Sequence, residues 1–287
     1  MNKIWTIGEL LQWTQRFFKK KGIDSPRLDS EILLAHVLKK ERIYLYAHYD
    51  EPMTAGELNS YRNFVKKRAE RVSVAHLLGT KNFMGMNFIV NTDVLIPRPE
   101  TEILVETVLS YEKNTAANIK ILDIGTGSGA IILSLLSYWT KASGTGVDVS
   151  PAALIIAKKN SEAFKLSERV EWLESDLFAN VFHRSYTWIV SNPPYLTQAD
   201  MQSLQPEVRR DPEQALFGGI DGLSYYRRLA ADSWQYMMQD GYCAVEIGAG
   251  QCKAVSDIFE AAGHYMIDKV VKDYGDIERV IIFKRKE

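Results

Sequence analysis

Apolar residues recur at helical spacing through the first seventy positions. Thr6-x-x-Glu9 reads as a capping box ahead of Leu10, Leu11, Trp13, Phe17 and Phe18, and Gly22 closes that segment. Ser25-Pro26 predicts a second start, with Ser at the N-cap, Pro at the first helical position, and Leu28, Ile32, Leu33, Ala35, Val37 and Leu38 as its apolar face. Thr54-x-x-Glu57 opens a third helix, which ends in the basic stretch Lys66-Lys67-Arg68 and Arg71, read as a solvated helical surface. Over residues 80–96 the period shortens. Aromatic and β-branched runs flank Gly85, which predicts a hairpin connecting a small helical domain to the rest. From residue 100 onward the pattern alternates. Helices are expected at 100–112, after the glycines to about 140, at 151–164, 223–238 and 251–262. Strands are expected at 119–124, 145–149, 170–175, 186–192, 241–247, 264–272 and 278–284. Alternation of this kind means an α/β domain: a mostly parallel sheet covered on both faces, with ligands outside the carboxyl ends of its strands.

Composition narrows the classes. Hydrophobic residues at 46% and charged residues at 25% exclude a disordered chain, and a net charge of −1 excludes a uniformly basic protein. The charge is uneven, with 15 Lys/Arg against 9 Asp/Glu in residues 1–90 and 20 against 27 in the remainder. The N-terminal part could therefore meet an acidic partner. Cys243 and Cys252 make no framework, and His36, His48, His76, His183 and His264 lack ligand spacing, so no metal site is expected. No leader-like apolar stretch and no run of membrane-spanning length is present, which suggests a soluble, cytoplasmic protein that meets no membrane.

Two motifs carry chemistry. Asp123-Ile-Gly125-Thr126-Gly127-Ser128-Gly129 follows the first strand of the alternating part and opens a helix. Alternating glycines let a ligand approach the backbone, and a helix N-terminus offers free N–H groups. Asp148 ends the next strand, where a carboxylate can accept from both hydroxyls of a ribose. An adenosine-containing cofactor follows. With Ala130 the loop also satisfies the dinucleotide fingerprint G-x-G-x-x-A, so a dehydrogenase and a methyltransferase both remain open at this point. Ser128 could cap the helix in either. The second motif is Asn192-Pro193-Pro194-Tyr195, at the end of the fourth strand. Two prolines stiffen the chain and remove two donors. The Asn192 side-chain oxygen and the Pro193 carbonyl can then hold the two N–H bonds of a planar amine or amide, and Tyr195 supplies a ring face. That arrangement suits methylation of an NH2 group and leaves the dehydrogenase without a hydride-transfer constellation.

The full D-x-G-x-G-x-G loop with Asn-Pro-Pro-Tyr resembles amino-methyltransferases that use S-adenosylmethionine. Further stretches narrow this: VAHLLGT (74–80), Phe83-Met84-Gly85, Ile96-Pro-Arg-Pro-Glu-Thr-Glu102, VDVSPAAL (147–154), SDLF (175–178), VSNPPYL (190–196), DPEQALFGGIDGLSYYRRL (211–229), EIG with Gln251, and Lys272-Asp273-Tyr274 with Arg279-Val280. Together these resemble the peptide chain release factor glutamine methyltransferases, the HemK or PrmC family, over nearly the whole chain. The resemblance implies a Rossmann-like class I methyltransferase fold with a seven-stranded sheet in residues 99–287, a hairpin linker at 79–98 and a helical substrate-recognition domain at 1–78. It implies that Gly125, Thr126, Gly127, Ser128, Gly129 and Asp148 hold S-adenosylmethionine, with Asp176 and Leu177 at the adenine and Asn192 at the reacting end. Asn192, Pro193 and Tyr195 would be catalytic, and with Pro194 they would bind a glutamine of the Gly-Gly-Gln motif in class I release factors. Arg98 and Glu102 would shape the mouth of the site. A monomer with no stable nucleic acid partner is expected. The alternatives are a glutamine methyltransferase for a ribosomal protein, and an adenine-N6 methyltransferase for DNA or RNA. The acidic balance of residues 91–287 speaks against the latter.

Overall fold

The structure, a computed structural model, describes residues 4–182 and 185–286; His183 lies outside them. The chain forms two compact units, one of residues 1–79 with 205–210 and the other of residues 80–204 with 211–287. No helix among the described residues is long and apolar enough to cross a membrane.

The first unit contains α1 (Ile7–Lys20), α2 (Pro26–Leu38), α3 (Arg42–Ala47), α4 (Ala55–Ala69) and α5 (Val74–Leu78). Both capping boxes form. Glu9 N–H donates to Thr6 Oγ1 and Thr6 N–H to Glu9 Oε2, and Thr54 and Glu57 repeat the exchange at α4. Ile7, Leu10, Leu11 and Phe18 pack with Leu33, Leu34, Leu45, Tyr61 and Val65. Two expectations at α2 fail. Ser25 makes no cap hydrogen bond, because its backbone is not in the extended conformation that aims a cap. Leu28 is exposed while Asp29, Ser30 and Glu31 are buried. Ion pairs explain the inversion. Glu31 bonds Arg27 (2.9 Å) and Arg42 (2.6 Å), and Asp29 bonds Arg68 (2.7 Å). Burial alone would raise the Glu31 carboxyl, but Tyr46, Arg42 and Arg27 together hold it below its ordinary value. Arg68 is therefore not part of a solvated face. It is buried, and its second nitrogen reaches Glu207 at 2.8 Å, with Arg71 on the same carboxylate at 2.9 Å. These contacts tie residues 205–210 to the helices.

The second unit opens with the hairpin β1 (Thr80–Phe83) and β2 (Met86–Ile89), turning at Met84-Gly85. Phe83 and Phe88 are buried among α6 (Pro99–Tyr111) and the helix that follows the glycine loop, so the hairpin is part of this core. The alternating elements follow: β3 (Lys120–Ile124), α7 (Ala130–Tyr138), β4 (Ser143–Asp148), α8 (Pro151–Ala163), β5 (Val170–Glu174), β6 (Tyr186–Ser191), the short α9 (Gln198–Gln202), α10 (Ser224–Asp232), β7 (Met237–Glu246), α11 (Cys252–Ala261), β8 (Tyr265–Lys272) and β9 (Glu278–Arg285). The seven-stranded sheet has the order β5-β4-β3-β6-β7-β9-β8. The first five of these strands are parallel, and β9 runs antiparallel to both β7 and β8. Helices cover both faces over two apolar clusters. Trp188 stacks on Tyr242 in one, and Cys243 is fully buried in the other. The helix expected over 223–238 ends at Asp232, because Trp234 N–H donates to the Tyr265 hydroxyl (2.9 Å) and the chain tightens into a 3-10 turn before β7. Strand order reverses direction between β3 and β6, so the carboxyl ends of β3, β4 and β6 face one crevice.

Candidate active site

A cavity of about 360 Å3 occupies that crevice. Its walls include Gly125, Gly127, Asp148, Asp176, Leu177, Asn192, Pro193 and Pro194, which brings the separate sequence motifs to one place. Gly125 and Gly127 have φ of +71° and +55°, and a Cβ at either would meet no atom within 4 Å. The backbone is bare on the cavity side, a cradle that a side chain would fill and a ligand can occupy. Asp148 is among the cavity walls. Its Oδ2 accepts from Gly127 N–H (2.8 Å) and its Oδ1 from Ser150 N–H (2.9 Å), each oxygen keeping a further lone pair for a hydroxyl. Burial raises its pKa, and the bonds from Ser150, Gly127 and Val149 oppose that.

Thr126, Ser128 and Gly129 stand behind the wall. The Thr126 hydroxyl donates to Asp123 Oδ2 at 2.6 Å, and the Ser128 carbonyl accepts from Asn160 at 2.9 Å. The cap position of α7 is Gly129, at φ +79°, and Ser128 makes no cap: the left-handed turn puts glycine where a side-chain cap would sit. Asp123, fully buried, is pushed up to about 7 by desolvation, against Thr126 and the Ile132 amide. Asp176 is exposed and pairs with Arg228 at 2.9 Å.

Asn192 Nδ2 donates to Thr101 Oγ1 at 3.0 Å, which leaves Oδ1 as its other end. Tyr195 does not line the cavity. Its hydroxyl is 3.5 Å from Glu246 Oε1, and burial pushes its pKa up. The turn after Asn192 is held by contacts the motif does not contain. Gln251 Nε2 donates to the Tyr195 carbonyl (3.0 Å) while its Oε1 accepts from Gly248 N–H (2.9 Å), and a Cβ at Gly218 would lie 2.6 Å from the Pro194 carbonyl. Arg98 pairs with Asp211 at 2.5 Å, and Glu102 accepts from Met84 N–H at 2.7 Å, anchoring the hairpin turn instead of a site mouth. Asp93, Val94, Leu95, Gln214 and Tyr225 also wall the cavity. Nothing in their local sequence marks them as such, although Gln214 and Tyr225 belong to the stretch 211–229.

The parallel sheet with its antiparallel β9, and a glycine cradle beside Asn-Pro-Pro-Tyr, define a class I methyltransferase. The methyltransferase from Pyrococcus furiosus shares the fold, with a TM-score of 0.56 at 16% identity over 77% of this chain and 100% of that one. The PrmC N-terminal domain model matches residues 9–79 and the methyltransferase small domain model residues 99–216. The release factor glutamine methyltransferase of Geobacter sulfurreducens is 39% identical, covering 97% of this chain and 96% of its own. That of Rhodopirellula baltica is 38% identical, covering 98% and 97%. The chain belongs to the release factor glutamine methyltransferase family.

Proposed function

We propose that this enzyme transfers a methyl group from S-adenosylmethionine to the side-chain amide N5 of the glutamine in the Gly-Gly-Gln motif of class I peptide chain release factors. Family membership supports the reaction. The observation that carries it is the meeting of Asn192, Pro193 and Pro194 with Gly125, Gly127 and Asp148 around one cavity.

S-adenosylmethionine supplies, when bound, an electrophilic methyl on a positively charged sulfur. The residues fit such a group: the Gly125 and Gly127 backbone is bare, Asp148 has lone pairs for two ribose hydroxyls, and Asp176 and Leu177 line the same cavity and would meet the adenine. Thr126, Ser128 and Gly129 keep the loop in shape from behind. An amide nitrogen is a weak nucleophile, because its lone pair is delocalised into the carbonyl. Asn192 Oδ1 and the Pro193 carbonyl accept its two N–H bonds, hold it in line with the methyl and favour a more tetrahedral nitrogen. Transfer would make a nitrogen–carbon bond as the carbon–sulfur bond breaks with its electron pair going to sulfur, and the proton lost from the nitrogen would pass to solvent. Tyr195, which lies behind the cavity wall, would hold the turn in place and not face the amide. The helical unit serves as the recognition surface. Its groove of about 460 Å3 has Trp5, Trp13, Phe17 and Leu58 for walls and Lys21, Arg62 and Lys66 on its rim.

The test uses labelled S-adenosylmethionine and four acceptors: an unmodified release factor, the same factor with its Gly-Gly-Gln glutamine replaced, a glutamine-methylated ribosomal protein in unmodified form, and bare RNA or DNA. Label on the first alone is expected. Label on the ribosomal protein or on nucleic acid overturns the acceptor assignment.

A further inference from the structure

We propose that Gln251 is a positioning residue for methyl transfer: its side chain fixes the direction of the Pro193 carbonyl by clamping the far end of the Asn192-Pro193-Pro194-Tyr195 turn. This rests on the reading above, in which that carbonyl accepts an N–H of the acceptor amide.

The Gln251 side chain uses both of its ends. Nε2 donates to the Tyr195 carbonyl at 3.0 Å and lies 3.5 Å from the Gly222 carbonyl oxygen, while Oε1 accepts from Gly248 N–H at 2.9 Å. A carboxamide answers carbonyls with one end and an N–H with the other, which neither a carboxylate nor an apolar chain can do. Gln251 stands at the N-cap of α11, yet its side chain makes no cap there. Its backbone is anchored, with its N–H donating to the Gly248 carbonyl (3.1 Å) and its carbonyl accepting from Val255 N–H (2.9 Å). The side chain therefore reaches across to Tyr195 from a fixed point.

The neighbours leave room for that reach and no more. A Cβ at Gly222 would lie 2.4 Å from the Tyr195 carbonyl oxygen and 2.8 Å from Gln251 Nε2, and one at Gly248 would lie 2.8 Å from Gln251 Oε1. Three segments thus meet on one side chain: the end of the turn, the loop 216–223 and the residues that follow β7. Leu196 joins the same loop by its backbone, donating to the Leu216 carbonyl (2.9 Å) and accepting from Gly218 N–H (2.8 Å). The prolines carry the constraint back to the reacting end. Each has a fixed φ and contributes a single free dihedral, so a held Tyr195 carbonyl leaves the Pro193 carbonyl little freedom to swing. Without the Gln251 bonds the Leu196 bridge still keeps the path of the chain, but the Tyr195 peptide plane can rotate. The loss then falls on the rate and not on the fold.

The experiment compares Gln251→Met and Gln251→Glu with the wild type in the full chain. Methyl transfer to a release factor gives kcat and KM, calorimetry with S-adenosylhomocysteine gives cofactor affinity, and thermal unfolding reports integrity. Gln251→Met keeps the length and loses both bonds. It should lower kcat about 10- to 100-fold, the scale of a small misplacement of a reacting group, with KM and cofactor affinity within about twofold. Gln251→Glu carries a pH signature. Ionised, it sets a charge against the Tyr195 and Gly222 carbonyls. Protonated, its O–H donates to Tyr195 while its other oxygen still takes Gly248 N–H. The facing carbonyls raise its pKa, so its kcat relative to the wild type at the same pH should climb about tenfold as pH falls from about 8 to 6. Lost stability would show in the melt and leave this ratio flat. A folded Gln251→Met enzyme with wild-type kcat overturns the clamp, and so does a raised KM with kcat unchanged. A flat Gln251→Glu ratio also overturns it, and decides alone if Gln251→Met does not fold. A readout independent of the acceptor is the Gly248 amide proton, expected to exchange slowly in the wild type and fast in Gln251→Met; fast exchange in the wild type overturns the clamp. A wild type that labels a different planar amine overturns the proposed acceptor alone, and both variants are then scored on that amine.

Discussion

Replacing Asp148 by Asn changes one heavy atom of the cofactor cradle and separates its two jobs. In the wild type each carboxylate oxygen accepts one backbone N–H, from Gly127 at 2.8 Å and from Ser150 at 2.9 Å, and has capacity left for a ribose hydroxyl. An asparagine keeps one accepting oxygen and turns the other into a donor facing an N–H. One ribose bond to a charged acceptor is lost, worth about 1.5–3 kcal/mol. Cofactor affinity should therefore fall about 10- to 150-fold. The unliganded protein loses less. The mutation removes one backbone bond, but it also removes the desolvation that raises the Asp148 pKa. Net destabilisation of about 1 kcal/mol corresponds to a fall of about 2–4 °C in Tm for a unit of this size. Calorimetric titration with S-adenosylhomocysteine, beside a thermal melt without ligand, measures both. Unchanged affinity in the Asn variant would refute the ribose assignment. A melt lowered by tens of degrees would show that Asp148 is a structural staple instead.

Four further outcomes are expected. Asn192→Ala should leave cofactor affinity near normal and slow methyl transfer by about two to three powers of ten, so near-normal turnover would remove Asn192 from the chemistry. Gly127→Ala places a Cβ at φ +55° in the cradle, and should weaken cofactor binding at least about tenfold while the left-handed strain lowers Tm by a few degrees; isothermal titration beside a melt decides. Arg68→Met leaves Asp29 and Glu207 facing each other without their shared cation, and should cost about 3–5 kcal/mol in urea unfolding of the full chain. Stability should fall as pH rises from about 5 to 8. Asp123 and Glu246 are pushed up to about 7 and Asp211 to about 6, chiefly by burial, so the folded chain keeps protons that the unfolded chain has released. The carboxyls held low, Glu31, Glu207 and Asp221 among them, complete their titration below that window. A Tm that climbs between pH 5 and 8 would contradict the sign.

Contacts within a few residues were legible from the amino-acid order. The capping boxes at Thr6 and Thr54, the hairpin at Gly85, the alternation of strands and helices, and the bare loop around Gly125 and Gly127 all depend on neighbours three or four positions apart. Backbone geometry and side-chain type are enough to specify such features. The glycine and Asn-Pro-Pro-Tyr motifs were visible for the same reason: their chemistry is carried by contiguous residues.

What tertiary structure decided are the partners of polar groups far apart in the chain. Thr101 and Asn192 are 91 positions apart, Arg98 and Asp211 113, Arg68 and Glu207 139. Glu246 ends an apolar strand, and nothing in its neighbours says whether it is buried. It is buried because β7 lies inside the sheet, between β6 and β9. Arg68 reads as one cation of a basic run, and is buried because Asp29 and Glu207 neutralise it there. Ser128 yields the cap of α7 to Gly129 because the loop must turn left-handed to leave the cradle bare. Periodicity reports which side of an element is apolar. Whether a charge is solvated or paired depends on what the rest of the chain brings to it, and that is set only when the elements pack.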